Sequence, residues 1–206
     1  MAITYPRELP EGIKFVTADF VLNDQVKASA SGSRLINYTQ VTDPAWMATM
    51  VTKSLRYSEY AVLEAWWLSL RDGLRRVMFR HPHVCYPKNH GGNKAPADDA
   101  GNLTGVTGGN VLVVDGVSAD LSLVVGDRIG LENGTRRHVG RVTEVTGTGT
   151  SRTITIEPPP FAAVSAAGTV VRFARPGLVM RPVPNSWSVQ QTGGRYVASF
   201  QLVEGQ

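Results

Sequence analysis

Only one stretch of this chain repeats apolar residues at helical spacing, and it is embedded among short runs that alternate at the period of strands. Between Ser58 and Leu70, the residues Tyr60, Leu63, Trp66, Trp67 and Leu70 fall on one helical face. Ser58 stands where an N-cap belongs, Glu59 falls in the first turn, and Gly73 follows the last turn as a C′ residue would. The pattern predicts one helix over 58–71. Elsewhere Val, Thr and Ile recur in short runs, divided by 21 glycines and 12 prolines in 206 residues. A helical bundle is excluded, and a β-rich fold with many turns is expected.

The strands read as follows. Lys14–Leu22 alternates with Val16, Ala18, Phe20 and Leu22 on one face, and Arg34–Gln40 is a further strand. Ala45–Thr52 places Trp46, Ala48 and Met50 on one side, and Arg75–Arg80 does the same with Val77 and Phe79. Asp24–Ser33, polar and rich in small residues, is expected to be a mobile loop. From Pro87 the texture changes: 87–100 reads as a linker, with Asn, Gly, Ala, Pro and Asp in place of any period. Short β runs follow at Asn110–Val114, Asp127–Leu131, Arg136–Val145 and Arg152–Glu157, with turn signals such as Asn133-Gly134 between them.

Toward the end, Val170–Ala174 and Gly177–Val183 are extended. A Thr192-Gly193-Gly194 turn then joins the Trp187 segment to Tyr196–Val203, whose Ala198, Phe200 and Leu202 share a face. That closing hairpin is too short to fold alone, and its natural partner is the incomplete N-terminal set of strands. The expected architecture is mainly β with one α-helix. A discontinuous main domain built from 1–86 and 175–206 is interrupted by an insertion at 101–174, whose short strands suggest a small barrel or compact sandwich.

A hydrophobic content of 42% allows a packed core. No apolar run reaches the ~20 residues that span a bilayer. The opening Met1-Ala2-Ile3-Thr4-Tyr5-Pro6 has no signal-peptide core, so folding in a cytoplasm without membrane insertion is expected. Cys85 is the single cysteine, which excludes an internal disulfide. The net charge of +4 lies outside the middle of the chain. Within 101–174, Arg128, Arg136, Arg137, Arg141, Arg152 and Arg172 are balanced by Asp115, Asp120, Asp127, Glu132, Glu144 and Glu157.

The most enzyme-like cluster is His81-Pro82-His83-Val84-Cys85, with His90 five residues further on. These are zinc-ligand types, but their spacing matches no common zinc pattern and no second cysteine closes a structural site. No Gly-x-Ser-x-Gly elbow is present, and Cys85 is not set in a nucleophile signature. Asp98-Asp99 reads as solvated loop charge. Gly105-Val106-Thr107-Gly108-Gly109 lacks the Lys-Ser/Thr of a phosphate loop and reads as turns. A basic groove made by Arg128, Arg136, Arg137, Arg141 and Arg152 would suit nucleic acid. However, no Phe, Tyr or Trp lies between Gly101 and Pro160 to stack bases or sugars. The residues therefore point to a protein that is not an enzyme, with no catalytic site, metal or cofactor.

Several segments resemble a family of tail proteins of long-tailed bacteriophages and prophages, the distal-tail proteins. Tyr5-Pro6-Arg7-Glu8-Leu9-Pro10 before the Lys14–Leu22 strand is similar to the family's start. The central pattern is the Trp46 strand, then Tyr57–Leu70, Gly73 and Arg76-Val77-Met78-Phe79. Val125–Leu131 and Thr153–Pro159 resemble its inserted module, and Ser186-Trp187-Ser188 with Ala198–Glu204 resembles its final hairpin. The chain departs from the family where His81-Pro82-His83 replaces a Gly-Asp-Pro-type turn.

The resemblance covers most of the chain. It implies a β-sandwich main domain with a flanking helix, interrupted by an inserted small, OB-like β-barrel, and assembled in the host cytoplasm as a homo-hexameric ring in the virion tail, between the tail tube protein and the central tail-tip hub protein. DNA would only pass through its channel, the insertion would project outward, and the Asp24–Ser33 loop would reach a neighbouring subunit. Two other roles are compatible with the same residues: a tail-tube subunit, and a carbohydrate or host-surface module carried by the insertion.

Overall fold

The computed structural model describes residues 3–24, 26–31, 35–91 and 94–205. In chain order the elements are β1 (Arg7–Glu8), β2 (Phe15–Asn23), β3 (Val26–Ser31), β4 (Leu35–Gln40), β5 (Ala45–Thr52), α1 (Tyr57–Ser69) and β6 (Val77–Arg80). Next come α2 (Ala95–Asp98), β7 (Ala100–Thr107), β8 (Val111–Asp115), β9 (Arg128–Asn133), β10 (Arg136–Thr146) and β11 (Ser151–Glu157). The chain finishes with β12 (Val170–Arg172), β13 (Gly177–Pro182), β14 (Ser188–Thr192) and β15 (Arg195–Glu204). The fold is mainly β, with sheets and a closed barrel, in keeping with a β-sandwich that carries an inserted small barrel. Two compact units are present. One is Pro10–Arg75 with Arg181–Gly205; the other holds the strand before Pro10 together with Arg76–Met180. The expected domain limits were 86/87 and 174/175, so β1 and β6 here group with the barrel and the cut falls inside β13.

In the first unit, β5 pairs antiparallel with both β2 and β15, and β14 turns back on β15. The inward residues are Trp46, Ala48 and Met50 of β5 and Ala198, Phe200 and Leu202 of β15, as their alternation predicts. On α1, Leu63, Trp66 and Trp67 are buried, along with Leu70 just beyond it. Phe200 is the hub of this core. Its ring centroid lies 5.8 Å from Trp66, 5.2 Å from Trp67 and 5.9 Å from Trp187. Each such side chain, once buried, contributes roughly 1.5–3 kcal/mol.

The second unit contains the barrel, whose strands close in the order β10-β11-β8-β7-β12-β9. Every pairing is antiparallel. Six strands are one more than the five of an oligonucleotide-binding barrel. Its core is aliphatic, with Leu103, Leu112, Ile129, Leu131, Ile154 and Ile156 fully buried. Phe173 is the aromatic ring in that core, and it enters from beyond the aromatic-free stretch. In the same unit β6 pairs with β1 in parallel and with β13 antiparallel.

Several expectations need correction. Val16 is exposed while Phe15 is buried, because a bulge between Phe15 and Thr17 shifts the alternation of β2 by one residue. The helix begins at Tyr57, so Ser58 lies inside it. Glu59 Oε2 accepts the backbone N–H of Arg56 at 2.7 Å and supplies the start signal. The helix ends at Ser69, and the left-handed residues after it are Arg71 and Asp72 (φ 51° and 50°) before Gly73. Gly73 serves a different purpose: a Cβ there would lie 2.7 Å from the carbonyl oxygen of Pro182.

The expected linker is structured as well. Lys88–His90 forms a 3-10 turn, α2 follows, and β7 has already begun at Ala100. Gly105 lies at a bulge within β7, and only Gly108 and Gly109 form the expected turn.

The largest departure is Asp24–Ser33. Its residues Val26–Ser31 form β3, paired with β4 from Val26↔Gln40 to Ser31↔Leu35. Gln25, Gly32, Ser33 and Arg34 lie outside the described residues. Small polar residues hid this strand, since its pairing is with its own neighbour and not with a core. Val26, Ala28 and Ala30 fall on one face of the hairpin, opposite Gln40, Tyr38 and Ile36. Apart from Gln40, that face is apolar and open to solvent, with Val26 51%, Ile36 57% and Tyr38 71% exposed.

Candidate functional site

The histidine cluster has its own local explanation. After β6 the chain turns at Pro82, and His81 Nδ1 accepts the backbone N–H groups of His83 (3.1 Å) and Val84 (2.9 Å). A ring nitrogen used this way caps the turn and is not offered to an incoming ligand. The Cys85 thiol lies 3.5 Å from the carbonyl of His81, and His83 is exposed. His90 is buried, with Nε2 accepting the backbone N–H of Ser122 at 2.7 Å. The structure therefore gathers His81, His83 and Cys85 in one turn and commits the ring of His90 to a barrel loop. Among the described residues, no group of three or more His, Cys, Asp or Glu is placed to hold a metal ion.

Of the five arginines expected to form a basic groove, Arg137 and Arg152 are committed elsewhere. Arg152 is buried, and its guanidinium donates to the carbonyls of Gly149, Ser151, Ala119 and Leu121. It ties the 119–121 loop to the 149–151 turn. Glu132 bridges Arg137 and Arg172. Arg136 and Arg141 remain exposed, too few for a phosphate track.

A site that sequence reasoning missed lies in the barrel unit. A cleft of about 320 Å³ is lined by Val84, Cys85, Tyr86 and Lys88 on one side, Val125–Arg128 on another, and Phe173 and Pro176 at the base. Asp127 builds it. One carboxylate oxygen accepts the N–H of Lys88 and the other that of Val124, each at 2.8 Å, so a single side chain pins two walls together. The N–H of Arg175 donates to the carbonyl of Cys85 at 2.6 Å and closes the third side. Asn89 Nδ2, donating to Ser122 Oγ at 2.9 Å, adds to the strap. A cleft held this way is preformed. Beside it, burial and the neighbouring Arg141 charge push the Arg128 guanidinium down to about 10. In the sequence, Asp127 stood only as the first residue of the short β run Asp127–Leu131. Its role depends on Lys88, distant in sequence.

A scan against protein-family models found no match to this chain. A search of curated proteins likewise found none.

Proposed function

We propose that the chain is a structural subunit of a long-tailed bacteriophage tail, of the distal-tail type. It would assemble as a hexameric ring between the tail tube protein and the central tail-tip hub protein, with DNA passing through the channel. On this reading the chain is not an enzyme and acts through geometry. One observation carries the proposal: the β3–β4 hairpin exposes a largely apolar face, Val26, Ala28, Ala30, Ile36 and Tyr38, with Gln40 at its end. An isolated two-stranded hairpin is marginal in water, and an apolar face of this kind marks a contact surface. A hairpin of one copy seated on the next copy makes a heterologous contact, and heterologous contacts close into a ring when the rotation between copies closes.

The arrangement of the rest supports the same role. A sheet with a large aromatic core around Phe200 makes a rigid wall, and the barrel is a separate compact unit free to serve another contact. His81, His90 and Arg152, which might have carried chemistry or bound nucleic acid, are engaged in holding loops.

The test is light scattering and negative-stain imaging of the purified full-length chain, with mass spectrometry of tail particles. A closed ring, and one ring's worth of copies per particle, is the expected result. A chain that stays monomeric at all concentrations and is missing from tail particles overturns the proposal.

A further inference from the structure

A head-to-tail ring needs two unlike surfaces on every chain, and the β3–β4 hairpin supplies one of them. A second exposed apolar face lies on α1, in the same compact unit. The inward side of that helix holds Leu63, Trp66 and Trp67. Its opposite side, formed by Ala61, Val62, Ala65 and Leu68, is apolar as well and carries no charge. Val62 is 56% and Leu68 69% exposed. A helix that is apolar all round belongs in an interior, of a protein or of an assembly.

We propose that this outward side of α1 is the seat of the β3–β4 hairpin from a second copy of the chain. The assignment rests on the ring reading above and supplies the surface that receives the hairpin.

Several observations select a second copy as the occupant. Within one chain both faces stand open to solvent, so a hairpin does not cover its own helix. The faces also match in spacing. Ile36 and Tyr38 stand about 6.7 Å apart along β4, and Ala61 and Ala65 about 6 Å apart along α1. The two large side chains of the strand can therefore seat over the two alanines of the helix, with Val62 and Leu68 turned toward Ala28 and Ala30. Neither face bears a charge: Gln40 ends one, and Ser58 and Ser69 lie along the other. An acidic or basic partner, nucleic acid included, finds no complement here.

The size of the contact fits a ring. Five apolar side chains on one face and four on the other fall short of the roughly 20–30 residues a side of a standard interface. Two copies joined once by it would separate readily, and a closed ring, in which every copy makes the contact twice, would hold.

The first test is photocross-linking of the full-length chain carrying Tyr38→p-benzoylphenylalanine, mixed with isotope-labelled copies so that links between copies are told from links within one. Links between copies should fall in the tryptic peptide Tyr57–Arg71, which contains the whole outward side of α1. Links between copies that fall elsewhere, or none between copies, overturn the inference. Light scattering of the same samples decides the ring reading separately: links at α1 in particles that are not closed rings leave the inference standing and remove the ring.

The second test uses Leu68→Lys and Tyr38→Glu, one charge on each face. Both side chains are exposed, so both variants keep their fold. Each alone should raise the concentration of half-assembly by roughly tenfold. An equimolar mixture should recover most of that loss, because native faces then meet native faces and the two new charges meet each other. Assembly of Leu68→Lys at the unmodified chain's concentration, or a mixture no better than its components, overturns the inference.

Discussion

His138 Nε2 lies 3.1 Å from the carbonyl oxygen of Pro158, inside the barrel unit, with the ring of Phe161 edge-on to the imidazole at 5.9 Å. A carbonyl only accepts, so Nε2 carries a proton in this bond. Burial pushes its pKa down to about 4, with the bond to Pro158 opposing that shift. The unfolded chain, with its histidine near 6.5, then binds more protons than the folded one between pH 6.5 and 4. Stability is therefore lost as pH falls through that window, by about 3 kcal/mol in total. Urea unfolding at pH 7, 5.5 and 4.5 should show the loss, and His138→Gln should flatten it. An equal slope in the variant would place the titration elsewhere.

Asp127 joins two walls of the cleft through a single carboxylate. Asp127→Ala leaves the N–H groups of Lys88 and Val124 without their acceptor and should cost about 2–4 kcal/mol. Hydrogen exchange should quicken at Lys88 and Val124 before it does in β10 or β11. A uniform rise across the barrel would mean that the carboxylate does not pin the walls locally.

Gly140 lets β10 approach its neighbour. A Cβ at this position would lie 2.5 Å from Ile156 Cδ1 and 2.9 Å from Ile156 Cβ. Gly140→Ala should destabilise the barrel by about 1–3 kcal/mol through overpacking. Ile156→Val in the same chain removes the Cδ1 and should recover part of that loss. Denaturant midpoints of the two single variants and the double variant measure the coupling, and strict additivity would refute the contact.

On the hairpin, Ile36→Asp combined with Tyr38→Asp places charge on the exposed apolar face. Both side chains are open to solvent, so monomer stability should change by only about 0.5 kcal/mol for each. Ring formation, read by light scattering, should be lost. A variant that still assembles would remove the hairpin from the contact.

Much of the main sheet was legible because its signal is local. The alternation of Trp46, Ala48 and Met50, and of Ala198, Phe200 and Leu202, is a period-2 pattern that needs no partner to be seen. The apolar face of α1 is equally local, and it was found to within a residue or two. β7 was missed because Gly101 and Gly105 suggested turns. In the barrel, a Cβ on Gly101 would come 2.5 Å from Val114 Cγ1, so the glycine is there for close strand packing. The candidate site was legible only as residue types. His81, His90 and Arg152 could be named as chemically able, but what they bond to lies up to 33 residues away.

The sequence by itself determined the class: mainly β, one long helix, an aliphatic barrel enclosed by aromatic-rich ends. Hydrophobic periodicity is written along the chain and decides which side of each element faces a core. Only the tertiary structure decided where the polar groups went. A histidine, an arginine or an aspartate is drawn to whichever unpaired backbone group the fold leaves within reach, and that group is set by long-range pairing. For this reason the helix on Leu63 and Trp66 could be expected, and the clamp of Asp127 on Lys88 could not.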